Sequence, residues 1–151
     1  MSSSVIDIVK AYFGTFSLMS ADKAALFLAD DFQIVGLAAI PLGKETWVQW
    51  MNALKTAMPD LKIRLSEVTA NGNVVSLVQN SAGTHRKPMD LSALDLPVIP
   101  ASDRVIAFPR SQWKITVVDG KITQEENVTL PSPETGLPGI LKAFGFVTPT
   151  V

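Results

Sequence analysis

Glu126 is the residue whose type and spacing best suit it to acid–base chemistry, because a tight-turn pair, Asp119-Gly120, precedes it in a long β-rich run. If Asp119-Gly120 is a two-residue turn without a bulge, Trp113 pairs with Glu126, Ile115 with Gln124 and Val117 with Ile122. One face then carries Trp113, Ile115, Val117, Ile122 and Val128, with Gln124 and Glu126 among them. The opposite face sets Lys114 across from Glu125 as an ordinary solvent pair. A carboxylate held against an indole on an apolar face has its pKa raised by desolvation, the condition for a general acid or base that works near neutrality. The competing arrangement is a β-bulge, common in strongly bent sheets, which would swap the faces, or a Glu126 at an exposed rim.

A second tight-turn pair, Asn71-Gly72, gives a second candidate group by the same arithmetic. Leu61, Ile63 and Leu65 fall opposite Ala82, Asn80 and Val78, so Asn80 is a polar side chain on an apolar face. It could orient a substrate carbonyl, or simply satisfy neighbouring backbone groups. His85, the single histidine, falls on the other face near Lys62, Arg64 and Gln79, at a strand end where the chain direction changes. Its imidazole titrates in the working range; a structural histidine bonded to loop backbone is the alternative. Trp47 and Trp50 sit on a helical stretch and read as core and rim packing, with ligand contact as the second possibility. Asp31 and Asp60 lie at element ends and read as turn or cap residues.

Composition narrows the classes. The 151 residues suit one domain, residues 1–151, with a core of its own. Thirteen basic and 14 acidic residues leave a net charge of -1, which offers no electrostatic footprint for nucleic acid or anionic lipid. One histidine and no cysteine cannot build the usual zinc or non-haem iron sites, and no Asp-rich loop suggests calcium, so no metal and no cofactor is expected. Nucleotide-binding glycine motifs and the Gly-x-Ser-x-Gly elbow are missing. No targeting segment is visible and no apolar run approaches the ~20 residues of a membrane span, so a cytoplasmic location is the default expectation.

The elements that must position these groups follow from periodicity. Val5, Val9, Tyr12 and Phe16, with Ile6 and Phe13, predict a helix over roughly residues 4 to 17 behind a Ser4 cap. Ser20 caps a short second helix that ends before Asp30-Asp31, and Phe32 to Leu37 reads as a brief strand. Trp47, Met51, Leu54 and Met58 predict a third helix from Lys44, stopped by Pro59. Leu61 to Ala70 and Asn73 to Thr84 form one hairpin; Val105 to Val118 and Lys121 to Leu130 form another. Residues 86 to 104 make an apolar, proline-containing loop that must cover something oily. A short helix is expected over Ile140 to Phe144, closed by Gly145. Helices followed by a strongly bent antiparallel sheet make an α+β fold. Val68, Val75, Leu77 and Val118 fall on the second face of the hairpins, which is compatible with a homodimer through the outer sheet face, a monomer being the alternative.

The chain resembles the SnoaL-like polyketide cyclases of the nuclear transport factor 2-like superfamily. The resemblance is carried by Pro41-Leu42-Gly43-Lys44-Glu45, Met58-Pro59-Asp60-Leu61, Gly83-Thr84-His85, Gly120-Lys121-Ile122 and the tail Gly139 to Gly145. It implies a cone of about three helices against a curved mixed or antiparallel sheet, and dimerisation sheet to sheet. It also implies an inner-strand aspartate, with a histidine, as acid–base machinery for intramolecular aldol closure. No Asp follows Asp119 here, and the last strand offers Glu125 and Glu126 instead. Three functions follow: a cofactor-free cyclase, isomerase or hydratase using Glu126 or His85, with Asn80 or Gln124 steadying an enolate; a binding protein for a small apolar carbonyl-type molecule; or an interaction domain without a pocket.

Overall fold

Seven strands curl into one mixed sheet around three helices in the computed structural model, which describes residues 3–36, 41–92, 98–108 and 110–128. The helix expected over Ile140 to Phe144, Leu37 and the centre of the proline loop lie outside the described residues. Helix α1 (Ser3–Leu18) buries Val9, Tyr12, Phe13 and Phe16, the stripe its spacing predicts; Ser4 lies within the helix rather than capping it. Helix α2 (Ala21–Ala24) starts at Ser20, whose hydroxyl accepts from the Lys23 backbone N–H at 3.1 Å. A single 3-10 turn (Ala25–Phe27) follows, and strand β1 (Leu28–Val35) begins at once. Asp30 and Asp31 are therefore strand residues, because Leu28, Phe32 and Ile34 are the side chains that enter the core.

Strand β2 (Leu42–Gly43) leads into helix α3 (Lys44–Ala57), which lays Trp47, Trp50, Met51, Leu54 and Ala57 on the sheet. The backbone carbonyls of Phe16 and Ser17, in the last turn of α1, both accept from the Lys55 ammonium and so tie α3 to α1. With β3 at Lys62–Asn71, β4 at Val74–Thr84, β5 at Val105–Ala107, β6 at Ser111–Val118 and β7 at Lys121–Asn127, the sheet order is β2-β1-β7-β6-β4-β3, and β5 pairs on the end of β4. Strands β1 and β7 (Lys121–Asn127) run parallel and the other pairs are antiparallel, which makes the sheet mixed. The strand expected over Val105 to Val118 is two strands, β5 and β6 (Ser111–Val118). Between them Phe108 donates its N–H to the Ser81 carbonyl at 2.9 Å and turns toward the interior.

Both hairpins form, and both carry a bulge that the turn arithmetic omits. In the second, Asp119 and Gly120 have φ of 51° and 78°, the positive pair a type I′ turn needs, and Val117 pairs with Ile122 as expected. The register then slips by one residue, and beyond the slip Thr116 faces Gln124, Ile115 faces Glu125, Lys114 faces Glu126 and Trp113 faces Asn127. In the first hairpin the tip is Gly72-Asn73, with Asn71 paired to Val74, and β3 (Lys62–Asn71) slips against β4 between Ser66 and Thr69. Glu67 adopts φ 52° within that slip and is held by Arg110 at 2.8 Å. A side-chain period of two means that one inserted residue reverses every face beyond it.

The reversal reassigns β4. Val75 and Leu77, expected outside, are 0% and 2% exposed and belong to the core, while Val68 packs against that core. Val118 is the one member of that set left exposed. The described ends of the proline loop do cover the interior: Met89 and Ile99 bridge to each other, and both are buried with Leu91. Among the described residues no helix is long and apolar enough to cross a membrane.

Candidate active site

Inside the cone, α1 and α3 stop short of filling the concave face of the sheet. A cleft of ≈ 700 Å³, counting its open mouth, remains between Phe13, Trp47, Trp50, Met51 and Leu54 on the helices and Leu61, Ile63, Phe108 and Trp113 opposite. Its polar lining comes from Gln79, Ser81, Ser111, Asn127 and Glu125. An apolar, aromatic lining with a few convergent polar groups is the character of a small-molecule site.

Glu125, not Glu126, is the carboxylate on the inner face. It is 1% exposed, and its Oε1 has no hydrogen-bond partner. Burial pushes its pKa up from 4.5 to about 8, while a hydrogen bond from the Tyr12 hydroxyl acts in the opposite direction. Tyr12 in turn accepts from the Trp47 indole N–H at 2.9 Å. Burial, then the charge of Glu125, pushes the phenol well above its ordinary 10, so Tyr12 stays protonated and donates. Helix α1 supplies the phenol, α3 the indole and β7 the carboxyl. The three meet because the bulge in the β6–β7 hairpin rotates Glu125 inward.

The sequence-predicted residues divide sharply. Trp47, Trp50 and Trp113 line the cleft, and the Trp113 indole N–H donates to Ser111 Oγ at 2.7 Å. Glu126 stands across from Lys114 on the outer face, where Glu125 was expected, because the single extra residue of β7 exchanges the two. Gln124 pairs with Thr116 and with Gln33 of β1, away from the cleft. Asn80 is exposed opposite Arg64, for the same reason on β4, and Gln79 and Ser81 take the inward positions.

His85 is fully buried but does not line the cleft. Its N–H donates to the Arg104 carbonyl at 3.0 Å, its carbonyl accepts from the Ser102 and Asp103 N–H groups, and Nδ1 lies 3.4 Å from Ser102 Oγ. Burial holds its pKa below 6.5. It pins the returning end of the proline loop. Asp60 accepts from both the N–H and the hydroxyl of Thr84, at 2.7 and 2.8 Å, as befits a turn residue.

Sequence reasoning put Glu125 inward only in the bulged alternative to its regular register, and it missed Tyr12. The structure takes the bulged register, and no residue signature in β7 marks the bulge. Tyr12 carried a signal: a tyrosine on the buried stripe of a helix needs a partner for its hydroxyl.

Residues 9–125 match the SnoaL-like domain model, and the chain belongs to that family. No curated protein matches the sequence significantly. Solved structures share the fold at low identity. The proposed SnoaL-like polyketide cyclase of Jannaschia sp. CCS1 is 15% identical with TM-score 0.71, over 97% of this chain and 95% of that one. AclR, a proposed hydroxylase of Streptomyces galilaeus, is 12% identical with TM-score 0.74, over 99% and 87%. An LEH-like epoxide hydrolase of M. tuberculosis is 15% identical with TM-score 0.61, over 83% and 82%. The curved mixed sheet and helices expected from the sequence are thus those of the family.

Proposed function

We propose that the protein is a cofactor-independent enzyme that binds a small, largely apolar carbonyl compound in the cone and moves a proton next to the carbonyl, with Glu125 as its acid–base group. One observation carries this reading: a carboxyl with an unpartnered oxygen is sealed into the wall of an aromatic cleft. A family containing cyclase-described members agrees with it.

The chemistry needs one such group. Ionised Glu125 takes a proton from the carbon beside the ligand carbonyl, and the electron pair moves onto the carbonyl oxygen as an enolate. The enolate carbon bonds to a second carbonyl carbon of the same molecule, and the new alkoxide recovers the proton from Glu125. The product is an isomer of the substrate and the carboxyl ends as it began. A pKa of about 8 leaves roughly a tenth of the groups ionised at pH 7, each far more basic than a solvated carboxylate. Amide and hydroxyl groups of Gln79, Ser81 and Ser111 on the cleft wall are candidate donors to an enolate oxygen.

Deuterium exchange tests this directly. A panel of 1,3-diketones and aryl methyl ketones is incubated with protein in D2O, and the signal of the carbon-bound proton beside the carbonyl is followed by NMR. Wild type accelerates its loss, and Glu125→Gln slows it by about 100-fold or more, with ligand affinity by tryptophan fluorescence unchanged within about threefold. Equal exchange by both proteins removes Glu125 as the base. Tight binding with no exchange in wild type assigns a non-catalytic carrier.

A further inference from the structure

The Trp47–Tyr12 pair is a buried polar contact that proton abstraction by Glu125 does not itself require. Phenol and indole each carry a single N–H or O–H donor. Because the Trp47 N–H points into the Tyr12 oxygen, the phenol is oriented with its own proton free for a second partner, and its neighbour is the Glu125 carboxyl. One carboxylate oxygen, Oε1, remains buried without a partner in a residue that lines the cleft.

We propose that Tyr12, oriented by Trp47, is a positioning residue that holds the Glu125 carboxyl from the helix side and reserves Oε1 for the proton of the ligand. The assignment rests on Glu125 being the acid–base group. Two helices and a strand must be in register for it, so it ties the reacting atom to the packing of α1 on α3. Around Glu125, β1 places Ile34 beside it, β6 places Ile115 opposite, α3 brings Trp47 and Trp50, and α1 brings Phe13 and Tyr12. Tyr12 is the titratable group among these. Lys114 and Glu126 occupy the outer face of the same strands.

A hydrogen bond from Tyr12 favours ionised Glu125, so removing it makes the carboxyl harder to ionise. The test is a titration of the Glu125 carboxyl carbon by NMR on protein labelled at glutamate, assigned by its loss in Glu125→Gln. Wild type titrates at about 8. Tyr12→Phe, which removes one oxygen and no volume to speak of, raises the midpoint by about one pH unit, the order expected for one hydrogen bond to a carboxylate. Trp47→Phe raises it by less, and the double variant by no more than Tyr12→Phe alone, since Trp47 acts through Tyr12. In the exchange assay the alkaline rise moves with the midpoint, and kcat falls about tenfold with KM within about threefold. A Tyr12→Phe midpoint at or below that of wild type overturns the proposal, and so does a Trp47→Phe shift that adds to it. The titration decides the point even if no exchange substrate exists. An unmoved midpoint beside exchange that depends on Glu125 strikes the relay and leaves the base.

Discussion

Replacing Glu125 by glutamine should change how stability depends on pH more than it changes stability at any one pH. Its carboxyl ionises near 4.5 when solvated and at about 8 in the folded protein. The folded state thus holds the proton more tightly than the unfolded chain, and the linkage has one sign. Its favourable contribution is whole below pH 4.5, declines as the unfolded chain ionises, and is exhausted once the folded group also ionises above pH 8. At about 1.4 kcal/mol for each tenfold change in proton affinity, the whole displacement is worth roughly 5 kcal/mol, and about 3 of these fall between pH 5 and pH 8. For a chain of this length that corresponds to a fall in Tm of roughly 6–12 °C across the interval. The assay is thermal and urea unfolding of wild type and Glu125→Gln at half-unit steps from pH 5 to pH 9.5, at constant ionic strength. The difference between the two proteins should narrow or reverse in favour of glutamine as pH rises, then level off above pH 9. Parallel curves would refute the reasoning, because they would mean that Glu125 is as well solvated in the fold as out of it.

Other expectations follow from single contacts. Glu126→Gln keeps deuterium exchange within about twofold of wild type, since an outward side chain facing Lys114 makes no cleft contact. Gly83→Ala destabilises by about 1–3 kcal/mol in urea unfolding, because its Cβ would lie 3.1 Å from both Met58 Cβ and the Leu61 backbone, where neither neighbour is a flexible tip. Gly36→Ala costs a similar ~1–3 kcal/mol, as φ is 85° and the Asn127 carbonyl would stand 2.9 Å away.

Local chemistry in the chain was enough to determine the elements and their order. The stripe Val9, Tyr12, Phe16 made a helix because apolar residues at that spacing share one face, and Asp119-Gly120 made a turn because both accept positive φ. The inward tryptophans were legible for the same reason, since Trp113 and Val117 lie on one face of β6 whatever its partner does. Which of two adjacent glutamates enters the cone was not legible. Glu125 and Glu126 are chemically equivalent, and the choice between them rests on one extra residue in β7, which the curved sheet absorbs as a bulge. Asn80 lost its place to Gln79 and Ser81 through the same accommodation in β3. The Trp47–Tyr12–Glu125 line also exists only in three dimensions, because it joins residues from α3, α1 and β7 that no sequence period connects. Periodicity is a property of one strand or helix, whereas register is a property of the whole sheet, and register decides which side chains face the cleft.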